Sequence, residues 1–220
     1  GKDSMKNDYG KGPDKISIPP TLLFSLFGDH PDVRNSATSD LKHPGDKLYL
    51  VGESLEELGA SELAFMMTEN GQAAGIGGNV PLLTDPQRLF SSYRALSKAI
   101  NSGVVKTAHD CSEGGVGVAL AEMCIGGRIG AKIDIDGTGN SSTWARLYGE
   151  SLGRIIIAVS PQNNTKFLEH MAGHTTTLLG EVEATSQLSI VDGFDELVSI
   201  EVNELVTSWQ GTLDLTGGVA

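Results

Sequence analysis

Apolar residues recur along this chain with two different periods, which predicts a mixture of helices and strands. The clearest helix covers residues 85–102, where apolar side chains return at helical intervals on one face: Leu89, Tyr93, Leu96 and Ile100. Asp85 or Thr84 can cap the start of this helix. Pro86 suits its first turn, and Gly103 suits the position just after its end.

The same patterns predict the remaining elements of a larger fold. Further helices are expected over residues 60–69, 114–125, 161–171 and 202–209, the third of them capped by Ser160 and Pro161. The helix over 114–125 carries an apolar stripe: Val116, Ala119, Leu120, Met123 and Cys124. Strands are expected over residues 47–51, 104–108, 131–135, 155–159, 175–182 and 188–191.

Residues 155–159 form an unbroken apolar run, which is typical of a central strand buried on both faces. The whole pattern predicts an α+β fold, in which a mixed β-sheet is covered by helices. The Gly-rich stretch over residues 71–81 is predicted to be a loop.

The first forty residues have a different character. Short strands are predicted over residues 15–18 and 21–27, with Leu22, Phe24 and Leu26 on one side of the second strand. Residues 28–45 are polar and rich in turn formers, which predicts a linker. We therefore expect residues 1–40 to be the end of a preceding domain plus a linker, and residues 41–220 to form a second domain. Gly1 stands where an initiator Met would, so a natural start at this point is not expected.

Composition narrows the classes of function. The 220 residues are 39% apolar and 20% charged, as in ordinary globular proteins. The formal net charge of −12 argues against a general nucleic-acid binder, and no apolar stretch is long enough to span a membrane. Cys111 and Cys124 fit neither a zinc site nor a disulfide scaffold, which predicts a reducing, cytoplasmic location.

The segment HDCSEGG, residues 109–115, is the strongest candidate for chemistry, because it joins a predicted strand to a predicted helix. Gly114 and Gly115 let a phosphate approach the helix N-terminus, where free N–H groups point outward. Asp110 suits Mg²⁺, and Ser112 can donate to a phosphate oxygen. The alternative is a capped helix, with Ser112 as the N-cap and Glu113 in the first turn. We expect His109 to be structural.

Other segments carry weaker signals. Lys2 and Asp3 in GKDSM can meet a phosphate and a metal, or they can be a solvated chain end; the spacing is not that of a P-loop. In YGESLGR, Glu150 and Arg154 are expected to form an ion pair with a structural role. The stretch GIGGN at residues 75–79 lacks the context of a dinucleotide-binding fingerprint.

Neither cysteine is expected to be a nucleophile. Cys124 lies on the apolar stripe of a predicted helix, where a thiol behaves as a small hydrophobe. Cys111 lies closer to a helix N-terminus, a position that can lower the pKa of a thiol.

Taken in order, GKDSM, IPPTLL, HDCSEGGVGVALAEM and GESLGR resemble the second half of formylglycinamidine ribonucleotide synthetases, also called phosphoribosylformylglycinamidine synthases. The resemblance runs from residue 1 to about residue 200. Glu113 stands where Asp is expected more often in that family, and both residues are acidic. The wider aminoimidazole ribonucleotide synthetase superfamily shares the domain plan but not, in our judgement, this combination of motifs.

The resemblance implies a tandem enzyme whose two halves form a pseudo-dimer. In that family ATP phosphorylates the amide oxygen of formylglycinamide ribonucleotide, and ammonia from glutamine displaces the phosphate. It implies that Lys2, Ser112, Gly114 and Gly115 contact ATP or ADP, and that Asp110 binds Mg²⁺. Partners would be the N-terminal synthetase half and a glutaminase domain or subunit. No catalytic residue is expected in this chain, and the isolated chain is expected to be inactive.

Two alternatives remain open at this point. This half can be a structural module that binds a nucleotide permanently, or nothing, and holds the pseudo-dimer together. The chain can also belong to a different ATP-dependent member of the same superfamily.

Overall fold

A computed structural model of the chain describes residues 8–10, 12–17, 24–30, 32–69 and 78–211. The chain divides into two compact units, Gly1–Val33 and Arg34–Ala220. The division into domains near residue 40 stays a prediction. No described helix is long and apolar enough to cross a membrane.

The first unit contains a small hairpin. Strand β1 (Asp8–Tyr9) pairs antiparallel with β2 (Ile16–Ser17), and a 3₁₀ turn, Gly12–Asp14, lies between them. The strand predicted over residues 15–18 is thus present in its described part. The strand predicted over residues 21–27 is wrong for residues 24–27, which pair with no described strand and leave Phe24 exposed. Apolar alternation alone does not supply the neighbouring strand that a ladder requires. Residues 18–23, including Leu22, lie outside the described part of the chain.

The second unit is built on a seven-stranded sheet. Its strands are β3 (Lys47–Val51), β4 (Thr107–Asp110), β5 (Gly130–Asp134), β6 (Ile155–Val159), β7 (Thr176–Glu183), β8 (Gln187–Asp192) and β9 (Asp195–Glu201). They lie in the order β4-β6-β3-β7-β5-β8-β9. Neighbours are antiparallel except for β5 and β8, which are parallel, so the predicted mixed sheet is confirmed.

Six helices accompany the sheet within the described residues. They are α1 (Glu62–Glu69), α2 (Pro86–Asn101), α3 (Gly115–Gly127), α4 (Thr143–Tyr148), α5 (Asn164–His170) and α6 (Val202–Gly211). The predicted α+β class, with helices covering a mixed sheet, is confirmed.

Strand β6 has core on both of its faces, as its apolar run predicted. Ile156 and Ala158 belong to a cluster with the buried stripe of α3, whereas Ile157 and Val159 belong to a second cluster with α2 and α5. All five predicted stripe residues of α3 are at most 2% exposed. Because successive side chains of a strand point to opposite faces of the sheet, β6 packs against α3 on one face and against α2 and α5 on the other.

Helix α2 begins and ends where its sequence signals indicated. The Asp85 carboxylate accepts a hydrogen bond from the Arg88 N–H at 2.9 Å, which caps the first turn. Gly103 follows the helix with a φ of +74°, a conformation that suits glycine.

Some boundaries differ from the predictions for identifiable reasons. Strand β4 begins at Thr107 rather than at residue 104, because the N–H groups of Val104 and Val105 are bound to the Ala99 carbonyl at the end of α2. The helix predicted over residues 161–171 starts with a 3₁₀ turn, Pro161–Asn163, before α5. Helix α4 and strand β9 were not predicted.

Candidate functional site

One edge of the sheet gathers the ends of four neighbouring strands. Asp110 pairs with Ile155, Ile155 with Val51, and Val51 with Thr176. Strands β4 and β3 end in this row, and strands β6 and β7 begin in it. The loop from β4 to α3 leaves from this edge, so the HDCSEGG segment lies at a strand-to-helix junction as expected.

Asp110 is the last residue of β4 rather than part of the following loop. Its side chain is 70% exposed, so the carboxylate is open to solvent. The Ser112 hydroxyl donates a hydrogen bond to Oδ2 of Asp110, which lowers the pKa of that carboxyl. Burial first, and then the negative charge of Asp110, raise the pKa of Tyr93 on α2. The carboxylate is therefore ionised at neutral pH and lies near α2.

His109 connects β4 to α3. Its Nε2 lies 2.8 Å from Oε2 of Glu122, and its Nδ1 lies 3.5 Å from Oδ1 of Asp110. The ring is largely buried, with 21% of the side chain exposed. These contacts agree with the structural role expected for His109.

Gly114 and Gly115 both have left-handed backbone conformations, with φ of +77° and +64°. A Cβ at Gly115 would lie 2.4 Å from the Gly149 carbonyl oxygen, and one at Gly114 would lie 2.3 Å from a methyl of Val118. Packing and backbone geometry thus require both glycines without reference to a ligand.

The N–H groups of these glycines have partners within the chain. Gly114 N–H donates to Oε1 of Glu150 at 3.0 Å, and Gly115 N–H donates to the Ser112 carbonyl at 3.0 Å. The alternative prediction of Ser112 as the N-cap is wrong, because the cap position is Gly114 and the Ser112 hydroxyl is bound to Asp110. Ser112 is too far ahead of the helix for its side chain to reach the first free N–H groups.

The predicted ion pair between Glu150 and Arg154 is wrong. Oε1 of Glu150 accepts the N–H groups of Glu62 and Gly114, at 2.8 and 3.0 Å, so one carboxylate serves the starts of α1 and α3. Such a carboxylate is favourable at helix N-termini. This role was missed because the two partner groups lie 88 and 36 residues away in sequence.

Arg154 is buried and held by neutral oxygens. It donates to the Ser151 carbonyl at 3.1 Å, to the Ser54 hydroxyl at 2.8 Å and to the Gly149 carbonyl. Only 1% of the residue is exposed, and this burial lowers the pKa of the guanidinium. The GESLGR segment therefore fastens together the loop after β3, the end of α4 and the start of α3.

Both cysteines are buried free thiols. Burial raises the pKa of Cys111 to about 12 and that of Cys124 to about 12. Desolvation is the largest effect on the pKa of the Cys111 thiol and outweighs the lowering effect of the Arg154 charge. Thiols of this kind are poor nucleophiles at neutral pH.

The structure gives no positions for the remaining predicted ligand residues. Lys2 and Asp3 lie outside the described residues, as do residues 75–77 of the GIGGN stretch. Within the described part of the chain, no three His, Cys, Asp or Glu side chains converge on one point.

The chain is similar to known proteins in sequence. The family described as AIR synthase related protein, C-terminal domain, matches residues 43–193. The chain is 36% identical over 196 residues to the phosphoribosylformylglycinamidine synthase subunit PurL of Limosilactobacillus reuteri, covering 89% of this chain and 24% of that protein. It is 32% identical over 219 residues to the PurL subunit of Deinococcus radiodurans, covering 97% of this chain and 28% of that protein.

Solved structures share the fold at lower identity. Thermotoga maritima PurL complexed with FGAR superposes with a TM-score of 0.66 at 20% identity, over 79% of this chain and 30% of that chain. The same protein complexed with ATP gives a TM-score of 0.59 at 21% identity, over 79% of this chain and 28% of that chain. The chain thus spans about a quarter of the length of the curated relatives it matches. Because the family model covers most of the sheet and its helices, the chain belongs to the family of AIR synthase related proteins and contains their C-terminal domain.

Proposed function

We propose that this chain is the C-terminal part of a phosphoribosylformylglycinamidine synthase, the ATP-dependent ligase that converts formylglycinamide ribonucleotide to its amidine. The observation that carries the proposal is the identity of 32–36% to PurL subunits over 89–97% of the chain. The likeness in fold to PurL structures solved with FGAR and with ATP supports it. The remaining three quarters of such an enzyme would supply the N-terminal synthetase half.

We further propose a nucleotide and magnesium half-site at the edge where β4 ends. Asp110 is the metal ligand, because its carboxylate is exposed and ionised and lies beside a helix start. Ser112 is the hydroxyl that moves from Asp110 to a phosphate oxygen, while Gly114 and Gly115 shape the loop. Lys2 is the second phosphate contact, proposed from sequence alone. Bound Mg²⁺ would neutralise phosphate charge beside the Asp110 carboxylate.

The cofactors are accordingly ATP or ADP with Mg²⁺, and the further partner is a glutaminase domain or subunit in the cytoplasm. One related structure, PurLQS from Thermotoga maritima, contains PurL in a larger assembly, which supports a partner of this kind. Nucleic acid is not a proposed partner, because a net charge of −12 repels its phosphate backbone.

A second candidate is a structural module that does not take part in turnover. The hydrogen bonds from Gly114 N–H to Glu150 and from Gly115 N–H to Ser112 favour it, since they engage donors that a phosphate would otherwise use. The two candidates agree on the family and differ in whether a nucleotide at this edge takes part in turnover; the structural module would hold a nucleotide permanently, or none.

The function is tested with the complete synthetase that contains this chain. With formylglycinamide ribonucleotide, ATP, Mg²⁺ and ammonia, we expect ADP, phosphate and the amidine in equal amounts. The isolated 220-residue chain should be silent in the same assay, because it holds about a quarter of the relatives' length. Turnover of aminoimidazole precursors or selenide in place of this substrate would assign the chain to another member of the superfamily.

A further inference from the structure

A cleft of about 140 Å³ opens at the same edge of the sheet as Asp110, and the proposed nucleotide site does not use it. It lies between the residues that follow β3, the segment that precedes α2, the first half of α2 and the turns before β6 and β7. We call it the α2 cleft. Its lining combines carboxylates with leucine side chains, and each group restricts what the cleft can bind.

The charged groups of the α2 cleft are predominantly acidic. Glu53, Glu57 and Asp85 line it against one guanidinium, Arg88; His174 also lines it. Asp85 is engaged as the cap of α2, and Nη2 of Arg88 donates to the Thr175 hydroxyl at 2.6 Å. No described residue donates a hydrogen bond to the carboxylate of Glu53 or Glu57. A phosphate would be repelled here, so this cleft differs in chemistry from the proposed nucleotide site.

Glu57 is the informative residue because it is only 7% exposed. The buried Arg154 interacts electrostatically with both Glu57 and Glu150. Two carboxylates around one guanidinium leave an excess of negative charge. Among the described residues, the only fully buried side-chain polar atom without a partner is Nε of Arg146, so the Glu57 carboxylate oxygens still meet solvent in the cleft. A ligand that brings a positive N–H group into the cleft would therefore form a charge-assisted hydrogen bond with Glu57.

Leucine side chains supply the apolar part of the lining. Three segments around the cleft supply leucines that are 45–72% exposed: Leu55, Leu82 with Leu83, and Leu152. The volume of about 140 Å³ is close to that of an engineered cavity of about 150 Å³ that holds a benzene ring. The cleft therefore has room for one small ring or a short alkyl chain.

We propose that the α2 cleft binds a small organic cation, with an ammonium or amidinium head at Glu57 and an apolar body against the leucines. The head donates hydrogen bonds to the Glu57 carboxylate, and Glu53 adds a second negative charge near the mouth. The proposal does not depend on nucleotide binding, because the two sites use different residues.

The test is a titration of the chain with benzamidinium, followed by amide chemical shifts. We expect saturable shifts at cleft residues with a dissociation constant in the millimolar range, as is usual for a ligand of this size. Benzamide, which has nearly the same shape without the charge, should bind about tenfold more weakly. Glu57→Gln should weaken the binding of benzamidinium about tenfold. Glu204→Gln removes the same charge at an exposed position on α6 and should leave this binding unchanged.

Glu57→Gln leaves Arg154 with less compensation and can lower stability, so Glu53→Gln provides a second variant at an exposed position. It should weaken benzamidinium a few-fold and leave the melting temperature unchanged. The proposal is overturned if wild-type shifts do not saturate by about 20 mM, a limit set by millimolar affinity. Equal binding of benzamide, or unchanged affinity in both cleft variants, would overturn it as well.

Discussion

Gly115 illustrates how a residue chosen as a ligand contact can have a purely structural requirement. Its φ of +64° lies in the left-handed region, and a Cβ there would come within 2.4 Å of the Gly149 carbonyl oxygen. Gly114 has the same double requirement. Gly115 therefore brings the start of α3 against the end of α4, whereas Gly114 packs against Val118 within α3. The residues that favour a ligand at this site are Asp110 and Ser112.

We predict that Gly115→Ala lowers the free energy of unfolding by roughly 3 kcal/mol or more, because backbone strain and a steric clash add. Gly137→Ala is the matched control, since Gly137 has a φ of +77° but no atom within 4 Å of its added Cβ. That variant should lose only about 1–2 kcal/mol, the strain alone. Denaturant unfolding of both variants measures the difference, and equal losses would contradict the packing argument.

At the scale of elements, the sequence predicted the bounds of a helix correctly where signals for its start, its buried face and its end were all present. Helix α2 has a cap, an N-terminal proline, a periodic face and a terminal glycine, and its bounds agree with prediction. Strand β9 was missed because DELVSIE is mainly polar, which matches a partly exposed strand at the edge of the sheet. Helix α4 was missed because six residues are too few to show a period.

The candidate site follows the same rule. Asp110 could be selected because a strand, a short polar segment and a Gly-Gly pair follow one another in sequence. The position of Glu150 at two helix starts could not be predicted from the sequence, because it depends on chain segments that the folded sheet brings together. The ion pair predicted between Glu150 and Arg154 failed because Glu150 bonds to those two helix starts instead. Arg154 is held by two carbonyls of its own segment and by the hydroxyl of Ser54, 100 residues away.

Helix α4 is bound to the last residue of β8, Asp192, whose side chain is 11% exposed. The Thr143 hydroxyl donates to it at 2.5 Å and Arg146 forms an ion pair with it, and both interactions lower the pKa of Asp192. A folded-state pKa below the unfolded value near 3.9 means that the carboxylate stabilises the fold above about pH 4. That contribution is lost as the pH falls through the lowered pKa.

We therefore predict that Asp192→Asn costs about 1–2 kcal/mol of unfolding free energy at pH 7 and that the deficit shrinks toward zero in acid. Asp195→Asn, at an exposed position three residues away, should cost little at any pH. Urea unfolding between pH 7 and pH 3 provides the comparison. A deficit for Asp192→Asn that is independent of pH would show that charge is not its origin.

At the scale of the whole molecule, one edge of the sheet carries two kinds of chemistry. The end of β4 presents an exposed carboxylate near a helix start, and the α2 cleft beside it presents buried acid among leucines. The chain spans about a quarter of the length of its curated relatives. The proposed half-site therefore has to be tested in the complete synthetase, where Asp110 is expected to bind Mg²⁺-nucleotide.

The most direct measurement is a calorimetric titration of ADP, with and without Mg²⁺, into the complete synthetase and its Asp110→Asn variant. We predict that Asp110→Asn weakens ADP about tenfold or more in the presence of Mg²⁺ and little in its absence, with an unchanged melting temperature. Lys2→Ala should weaken ADP under both conditions, and Glu113→Gln, an exposed acid in the same loop, under neither. Unchanged affinity in both Asp110→Asn and Lys2→Ala would contradict the nucleotide site and leave the structural module.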